Sequence, residues 1–303
     1  MQSVTIEPDL HIVIVSYNTV DLLRKCLKAI PDSFPELSYL VSVVDNCSSD
    51  GSPDMVESEF PKVRLIRSQT NLGFAGGNNL AISSVRSKYV VLLNPDTEPH
   101  AGSLHLLTTF LDDHKDVGVC GPMLLNTDGS LQANGRKFPT VWREFLGVTG
   151  LRRFNMAAFN TKHAFGRDDL TLSLEVDEVS GACLMVRGEI IEALGALDDR
   201  FFMFYEEIEF CHRVKAHGWK VWFVAEAKVV HHWMGSVKRE GKKMTNQLFK
   251  SQIAYYKKTS GPMQVAAIYG ISYIGMAKNG FVYAGVAVKR VLRNMGILKR
   301  KSA

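Results

Sequence analysis

Three largely apolar, strand-like runs alternate with helical segments in the first part of the chain. The runs occupy residues 11–16, 39–45 and 89–94, and the most apolar of them reads YVVLLN. A helical segment at 20–30 places its apolar residues on one face. Strands that are apolar throughout must be covered on both faces. The alternation therefore predicts an α/β fold with a mainly parallel sheet and helices on both faces.

Regular patterns continue to residue 230 with one long interruption. Further strands are predicted at 63–67, 117–120 and 220–230. Further helices are predicted at 78–86, 101–112, 189–194 and 206–217. After the interruption, regular structure resumes at 176–187. Residues 126–177 show no period and contain many Gly, Asn, Arg and Phe residues. Long irregular stretches inside a compact domain are usually functional, so we expect a binding loop or lid there.

The composition is that of a folded globular protein. Of 303 residues, 46% are hydrophobic and 22% are charged, which excludes a disordered chain or a disulfide scaffold. The five cysteines are widely spread and form no CxxC pair, so we expect a reducing compartment and no structural zinc site. The first 15 residues lack the basic and apolar regions of a secretory signal. We therefore expect a cytoplasmic location.

Charge is distributed unevenly along the chain. Residues 241–303 contain 12 Lys or Arg and no Asp or Glu. Residues 1–240 hold the other 24 basic residues and all 31 acidic residues, which gives them a net charge of −7. A basic tail on an acidic body indicates an anionic partner. Nucleic acid would explain the tail but not the acidic body, so we expect an anionic membrane surface and no nucleic acid.

The basic tail also contains two uncharged apolar runs, at 263–277 and 280–288. Each run is shorter than the roughly 20 apolar residues that a membrane-spanning helix needs. The runs predict a helical extension that forms a re-entrant hairpin or interfacial helices at the inner face of the cytoplasmic membrane. The alternative is a helical cap or a homodimer interface with a solvated basic face.

The loops that follow the predicted strands are polar or rich in glycine. Ligands of open α/β sheets bind beyond the carboxyl ends of the strands, so these loops form the candidate site. A helix that begins near Gly77 would offer N–H groups to an anion. Turn formation explains any one of these loops, but less readily four of them at one sheet edge. The candidate ligand-binding residues are Ser16, Asn18, Asp45, Asn71, Gly73, Gly77, Asn78, Asn94 and Asp96.

Asp96 is the carboxylate that follows the most apolar strand. Mg²⁺ is commonly held by one or two carboxylates together with phosphate oxygens and water, so this side chain could hold a divalent cation that bridges a diphosphate. The alternative is that Asp96 caps the helix predicted to follow it.

A second cluster places three glutamates among five aromatic residues, in the sequence FFMFYEEIEF at 201–210. Apolar surroundings raise the pKa of a carboxyl group, which suits a general base. On a helix Glu206 and Glu207 would point about 100° apart, so one of them would face a cleft. The alternative is an acidic first helical turn that the helix dipole favours.

Two adjacent histidines, His231 and His232, end the last predicted strand. Side chains alternate along a strand, so the two rings are expected on opposite faces. One of them could ligate a metal ion or a phosphate, and the other would then be structural.

Taken together, these segments resemble the inverting family 2 glycosyltransferases with a GT-A fold. The matching text between residues 12 and 236 is, in order, IVIVSYN, VVDNCSSDGS, NLGFAGGNN, LLNPD, VSGACLMVR, FFMFYEEIEFCHRVKAHGWKV and VVHHWMGS. The NPD triplet and the segment DGSLQANGRKFP at 128–139 look most like the rhamnosyltransferase-type branch.

The resemblance implies roles for individual residues. Asp45 would contact the base or ribose of a nucleotide, with Ser16 and Asn18 in the same pocket. Asp96 matches the last acid of the family's DxD metal motif, in which Asn94 replaces the first acid.

The same resemblance assigns the remaining groups. Glu207 stands where the family has its catalytic base, usually an Asp. His231 matches best the histidine that contacts the metal ion or the diphosphate, and His232 is the second choice. Mg²⁺ or Mn²⁺ would be the cofactor.

The resemblance also implies the reaction and the domains. An inverting transferase would move a sugar, with rhamnose as one candidate, from a dTDP- or UDP-sugar to a cell-envelope glycan or polyprenyl-linked acceptor. Residues 1–240 would form the GT-A domain, with a nucleotide-sugar half at 1–125 and an acceptor half at 126–240, and 241–303 the helical extension. The alternatives are another hexosyl- or galactofuranosyltransferase, a nucleotidyltransferase, or a non-catalytic membrane scaffold that binds nucleotide sugars.

Overall fold

The computed structural model describes residues 8–34, 38–151, 172–233 and 237–294. These residues divide into two compact units. The first unit is formed by the described residues up to 138 and by 172–233 and 237–239. The second unit is formed by 139–151 and 240–294.

Nine strands among the described residues form one sheet in the first unit. They are β1 Leu10–Ser16, β2 Tyr39–Asp45, β3 Arg64–Arg67, β4 Tyr89–Leu93, β5 Thr97–Pro99, β6 Val117–Leu125, β7 Leu174–Val176, β8 Cys183–Arg187 and β9 Lys220–His231. Their order is β3-β2-β1-β4-β8-β6-β9-β5, and β7 pairs with β9. Strands β1 to β4 pair in parallel, as do β6 and β9, whereas β8 runs antiparallel between β4 and β6. The predicted α/β fold with a mainly parallel sheet is confirmed.

The alternation of side chains explains why the central strands are apolar throughout. Every residue of β1 and β4 is buried. Ile12 and Ile14 of β1 belong to one hydrophobic cluster, and Val13 and Val15 to a second one. Because successive side chains of a strand point to opposite faces, a sheet with a core on each side needs an uninterrupted apolar run.

The described residues contain nine helices. They are α1 Val20–Ser33, α2 Ser52–Glu59, α3 Gly73–Ile82, α4 Ser103–Asp113, α5 Val141–Thr149, α6 Gly188–Leu194, α7 Glu206–Ala216, α8 Val237–Thr259 and α9 Pro262–Asn294. Helix α1 buries Leu23, Leu27 and Ile30, the apolar stripe that its sequence indicates. Helix α7 is followed by Gly218 at φ +86°, a conformation that glycine adopts without strain.

Two local expectations are wrong. Helix α3 begins at Gly73 and not near Gly77 or Asn78, because Oδ1 of Asn71 accepts the Gly73 N–H at 2.9 Å and starts the helix early. No helix follows Asp96 directly, so the capping alternative for that residue fails. Residues 97–99 instead form β5, in which Thr97 pairs with His231, and α4 begins only at Ser103.

The stretch at 126–177, which shows no period in its sequence, contains some regular secondary structure. Helix α5 and strand β7 lie within 126–177, and residues 152–171 of that stretch are outside the described residues. The Oγ1 of Thr140 accepts the N–H of Arg143 at 3.3 Å and caps α5.

The second unit consists of α5, α8 and α9. Both apolar runs of the tail lie on the single continuous helix α9, so the expected re-entrant hairpin is wrong. The tail contains no Pro after Pro262 to break this helix. In the part of the chain that the structure covers, no helix is both long and apolar enough to cross a bilayer.

Candidate active site

The loops after β1, β2 and β4 lie at one edge of the sheet. Ser16, the last residue of β1, pairs with Asp45, the last residue of β2, and Ile14 pairs with Leu93 at the end of β4. This edge is the carboxyl end of three parallel strands, where α/β sheets bind ligands.

Asp45 is buried at this edge and keeps one oxygen available. Its Oδ2 accepts the N–H of Ser48 at 3.0 Å. Its Oδ1 is buried and has no hydrogen-bond partner within the described residues. A buried acceptor without a partner is costly, so this oxygen could accept a hydrogen bond from a ligand.

Asn18 ties the first two loops together. Its N–H donates to Oγ of Ser48 at 3.0 Å, and its Oδ1 accepts the N–H of Ser49 at 2.8 Å. Asn18 has φ +53°, a left-handed conformation that Asn tolerates better than most residues. Ser16 is buried, and its Oγ bonds to Oγ1 of Thr19 at 2.9 Å. Both residues therefore support the pocket floor through contacts inside the protein.

The glycine-rich loop at 71–79 packs closely against its neighbours. Gly73 has φ +74°, and a Cβ there would lie 2.1 Å from the carbonyl oxygen of Phe202. That carbonyl accepts the N–H of Phe74 at 2.7 Å. The N–H groups of Gly73 and Phe74, at the start of α3, are thus already bonded to protein acceptors. Gly77 lies inside α3, where a Cβ would be 2.8 Å from Val15.

Asn78 offers a second unpaired acceptor. Its Nδ2 donates to the carbonyl of Phe74 at 2.9 Å, while its Oδ1 is buried with no hydrogen-bond partner among the described residues. Asn71 and Gly73 act earlier in the same loop, where they bond to each other.

Asp96, which follows β4, lies beside His231, the last residue of β9. Both are 8% exposed, and Nε2 of His231 lies 3.4 Å from Oδ1 of Asp96. The Nδ1 of His231 bonds to Oε1 of Gln132 at 2.9 Å, which orients the ring. Asn94, the residue after β4, donates its N–H to the carbonyl of Ala182 at 2.9 Å.

His232 has a separate partner, as strand alternation predicts. Its Nε2 lies 2.5 Å from Oε1 of Glu98, while His231 faces Asp96. Trp233 follows with 68% of its surface exposed and its ring 5.7 Å from that of His231. Residues 234–236, including Ser236 of the VVHHWMGS segment, are outside the described residues.

The glutamates of α7 follow two residues in the left-handed conformation, Phe204 at φ +70° and Tyr205 at φ +68°. Such conformations are strained for aromatic residues and occur most often at functional sites. Glu206 is 4% exposed, and the Glu207 side chain is 15% exposed. The Oε2 atoms of both are buried without a hydrogen-bond partner within the described residues.

Burial controls the protonation of these two glutamates. It raises the pKa of Glu207, an effect that the nearby Arg136 guanidinium opposes. Burial and the charge of Glu207 together raise the pKa of Glu206 well above its ordinary value. An elevated carboxyl pKa is what general-base catalysis at neutral pH requires.

Residues 132–136 bring two more polar groups to the site. Gln132 contacts His231, and Nη2 of Arg136 lies 3.9 Å from Oε1 of Glu207. The Nε of Arg136 lies 2.6 Å from Oε1 of the buried Glu178, whose pKa burial raises to about 7. The sequence analysis missed Gln132, Arg136 and Glu178 as site residues. The sequence signal that could have indicated Arg136 is its position as a charged residue next to Gly135, within the irregular stretch at 126–177.

Gly181 connects the glutamates to the glycine-rich loop. A Cβ at Gly181 would lie 3.3 Å from the Phe74 ring and 3.7 Å from Cβ of Glu207. The following residue, Ala182, accepts the N–H of Asn94. The base candidate Glu207 is therefore placed beside the loops that follow β3 and β4.

The donor set at Asp96 fits a shared cation. Across the residues that the structure describes, no three His, Cys, Asp or Glu side chains converge on one metal position. Asp96 and His231 supply one carboxylate oxygen and one imidazole nitrogen. Mg²⁺ in phosphoryl-ligand sites commonly takes one or two protein ligands, with phosphate oxygens and water completing the shell. The pair therefore suits a cation that arrives with a diphosphate.

Two curated relatives align with more than two thirds of this chain. The chain is 27% identical over 243 residues to an N-acetylglucosaminyl-diphospho-decaprenol L-rhamnosyltransferase of Mycobacterium tuberculosis, covering 76% of this chain and 78% of the relative. It is 29% identical over 217 residues to a low-salt glycan biosynthesis hexosyltransferase of Haloferax volcanii, covering 70% of this chain and 63% of the relative.

Two solved structures have a similar fold at low sequence identity. A mannosyltransferase from Pyrobaculum calidifontis in complex with GDP-Man and Mn²⁺ superposes with a TM-score of 0.57 at 15% identity, covering 94% of this chain and 76% of that one. S. aureus TarS 1-349 superposes with a TM-score of 0.56 at 12% identity, covering 88% and 70%. These likenesses confirm the GT-A fold.

The family assignment is independent of these relatives. The family model described as Glycosyl transferase family 2 matches residues 11–195, which is more than half of the chain. The matched range contains the loops after β1 to β4 and the segment with Gln132 and Arg136. The resemblance stated from the motifs is confirmed: the chain is a glycosyltransferase and belongs to glycosyl transferase family 2.

Proposed function

We propose that this glycosyltransferase moves a sugar, with inversion at C1, from a nucleoside diphosphate sugar to a hydroxyl group of a polyprenyl-linked or glycan acceptor. The observation that carries the proposal is Glu207. It is a mostly buried carboxylate with a raised pKa, its Oε2 has no hydrogen-bond partner among the described residues, and it lies beside Gly181 near the carboxyl end of the parallel strands.

Glu207 is the proposed general base. It removes the proton of the acceptor hydroxyl as the acceptor oxygen attacks C1 of the sugar from the face opposite the diphosphate. The new C1–O bond forms while the bond from C1 to the diphosphate oxygen breaks, and the nucleoside diphosphate leaves with the electron pair. A single in-line displacement inverts C1 and needs no covalent enzyme intermediate.

Asp45 and Asn78 are the proposed donor contacts. Each has a buried oxygen without a hydrogen-bond partner among the described residues. Ribose and sugar hydroxyls or a base N–H would supply the missing donors. Asn18 and Ser16 hold the loop that carries this pocket, through their bonds to Ser48 and Thr19.

Asp96 and His231 are the proposed ligands of a divalent cation, Mg²⁺ or Mn²⁺. When bound, such a cation neutralises charge that develops on the leaving diphosphate. Gln132 fixes the tautomer and orientation of the His231 ring by bonding to its Nδ1. Asn94, which stands where a second acid would be expected, contributes a neutral side chain, so the protein supplies little negative charge of its own.

The relatives narrow the substrate class. One relative is named as an L-rhamnosyltransferase that acts on a diphospho-decaprenol-linked sugar, and another as a hexosyltransferase. We therefore favour a deoxyhexose or hexose on dTDP or UDP as the donor, and a lipid-linked glycan of the cell envelope as the acceptor.

A donor screen tests this proposal. Full-length protein would be titrated by calorimetry with dTDP-rhamnose, UDP-glucose, UDP-galactofuranose and GDP-mannose, each with Mn²⁺, with Mg²⁺ and with EDTA. We expect one dTDP- or UDP-sugar to bind at least about tenfold tighter than the rest, which is a difference of about 1.4 kcal/mol, and only with metal. Equal weak binding of all donors, or binding unaffected by EDTA, would contradict the donor or metal assignment.

The second unit supports a location at an anionic membrane surface. Helix α9 buries Ile268, Ile271 and Ser272 inside that unit, whereas Met263 is 87% and Tyr273 73% exposed. The helix therefore has an apolar face that no described residue covers. Interfacial helices bury such a face at the boundary between lipid headgroups and acyl chains.

Charge complementarity favours lipid over a second copy of the chain. Residues 241–303 carry 12 basic and no acidic residues, so two copies would repel each other at this surface. Lys257 lies 5.4 Å above the ring of Tyr269, at the exposed side of the helix pair. Lys299, Arg300 and Lys301 lie outside the described residues. A peripheral position at the inner face of the cytoplasmic membrane would bring the enzyme to a lipid-linked acceptor.

A further inference from the structure

We infer that Arg136 is a positioning residue that holds Glu207 in its basic form, and that Glu178 holds Arg136 in place. The inference deepens the proposed function, because it rests on Glu207 as the base. The Nη2 of Arg136 lies 3.9 Å from Oε1 of Glu207, and Nε of the same side chain lies 2.6 Å from Oε1 of Glu178. One guanidinium group is therefore shared by two carboxylates.

The backbone fixes Arg136 as firmly as its side chain does. The N–H of Arg136 donates to the carbonyl of Glu178 at 2.9 Å, and the N–H of Glu178 donates back at 3.0 Å. The Nη2 also donates to Oε2 of Glu178 at 3.1 Å. Because both ends of the residue are anchored to Glu178, the planar guanidinium presents a fixed edge to Glu207.

The cluster needs a cation in this position. Glu178, Glu206 and Glu207 bring three carboxyl groups together, and burial raises the pKa of each. Without a neighbouring cation, the pKa of Glu207 would be raised further, and less of the proton-accepting form would be present. With Arg136 alone as its partner, Glu207 would lose basicity. Glu178 pairs with the same guanidinium group, so Arg136 lowers the pKa of Glu207 less than an unshared arginine would.

In addition to Glu206, the described residues near this cluster include the ionisable groups of Tyr205, Cys211 and Asp177. Cys211 lies on the same helix, and Asp177 lies next to Glu178, with its carboxylate paired to Lys215 at 3.1 Å. These groups are unchanged in the variants below. A shift in the titration of Glu207 therefore reports on Arg136 and Glu178.

The test is a carbon-13 NMR titration of full-length protein labelled at the glutamate carboxyl carbons. The Glu207 resonance is assigned by its loss in Glu207→Gln. We expect Arg136→Gln to raise the pKa of Glu207 by about one unit or more, and Glu178→Gln to lower it. Opposite shifts are expected because Arg136 brings a positive charge to the cluster and Glu178 a negative one, whereas simple loosening of the site would move both variants in the same direction.

Arg213→Gln is the matched control. Arg213 pairs with Glu209 at 3.1 Å on the same helix and also binds backbone carbonyls of 194–196. Its removal disturbs an arginine–glutamate pair of α7 without touching the cluster. We expect the Glu207 titration to stay unchanged in this variant.

Unchanged titration in Arg136→Gln and Glu178→Gln, or shifts of the same sign in both, would overturn the inference. If Arg136→Gln does not fold, the inference is tested with Arg136→Lys and Glu178→Gln instead. A smaller upward shift in the former with a downward shift in the latter supports the inference, and any other pair of results overturns it. The titration does not depend on turnover. The assignment of Glu207 as the base is therefore tested separately, and full sugar transfer by Glu207→Gln would contradict it.

Discussion

The imidazole of His231 bridges Asp96 and Gln132, with Nε2 3.4 Å from Oδ1 of Asp96 and Nδ1 2.9 Å from Oε1 of Gln132. Two protein ligands are too few for the octahedral shell that Mg²⁺ demands. A cation at this position must therefore take most of its ligands from the diphosphate and from water. Binding of the metal ion and binding of the donor are accordingly expected to be strongly coupled.

Asp96→Ala should remove metal-dependent turnover and leave the fold intact. Loss of the carboxylate weakens the cation that neutralises the leaving diphosphate, and we expect kcat/KM to fall at least about 100-fold. The measurement is turnover against Mn²⁺ concentration together with thermal unfolding. His232→Gln is the control, because His232 pairs with Glu98 instead. Full activity of Asp96→Ala, or an equal loss in His232→Gln, would contradict the metal assignment.

Glu207→Gln should abolish transfer and spare donor binding. The substitution keeps the shape of the side chain and removes its ability to accept a proton, which typically costs about 10²- to 10⁴-fold in rate. Turnover and calorimetric donor binding would be compared in the same preparation. Glu206→Gln is the matched variant, since Glu206 also has a buried Oε2 without a hydrogen-bond partner in the described part of the chain. A larger loss in Glu206→Gln than in Glu207→Gln would assign the base to Glu206.

Gly73→Ala should destabilise the protein and weaken donor binding. The residue has φ +74°, and a Cβ would lie 2.1 Å from the backbone oxygen of Phe202, so the loop must move. The left-handed conformation alone costs an alanine about 1–2 kcal/mol. Gly129→Ala isolates that cost, because Gly129 has φ +80° with open space around it. Equal losses in unfolding free energy for the two variants would show that the contact with Phe202 is unimportant.

The double variant Tyr273→Ser/Ile274→Ser should release the protein from anionic membranes. These side chains are 73% and 47% exposed on α9, and burial of either in the lipid interface is worth about 1.5–3 kcal/mol, so affinity should fall at least about tenfold. The affinity for the membrane is measured by sedimentation with phosphatidylglycerol vesicles at low salt. Leu106→Ser, at an exposed leucine of the first unit, is the control. A concentration-dependent dimer without vesicle binding would instead assign this face to self-association.

Acid should destabilise the protein through His11. Burial, with a smaller effect of Arg64, lowers the pKa of His11 from 6.5 to about 4. Between these values the unfolded chain binds the proton and the folded chain does not, so stability falls as pH decreases from 6.5 toward 4. We expect wild type to lose about 2–3 kcal/mol more than His11→Gln between pH 7.5 and 4.5 in urea unfolding. Parallel losses in the two proteins would contradict this.

The fold could be predicted from the sequence where burial is complete. The runs at β1 and β4 are buried at every residue, and that property requires a sheet covered on both sides. Helix α9 could be predicted to be helical but not continuous, because Lys278 and Asn279 resemble a break and yet are compatible with a helix. Strand β5 is three residues long and exists because β9 pairs with it, which no local pattern encodes.

The candidate site could be predicted only in part. Asp45, Asp96 and the glutamates stand next to strong elements, and their loops show the sheet edge on which they lie. Gln132 and Arg136 belong to a segment without periodicity, and their partners His231 and Glu178 are 99 and 42 residues away. Contacts of that range arise from the tertiary fold, so propensity and spacing cannot reveal them.

The position of β8 between β4 and β6 also determines when this sheet can form during synthesis. Strands β1 to β4 can pair as soon as residue 93 has left the ribosome, but β6 has no neighbour until β8 and β9 arrive. Until residue 187 emerges, the edge of β4 and both edges of β6 remain open to pairing with other chains, and one edge of β6 stays open until β9 arrives, which is an aggregation hazard. A fragment that ends near residue 125 would keep these open edges permanently, so chaperone dependence is expected to be greatest for chains stalled between β6 and β9.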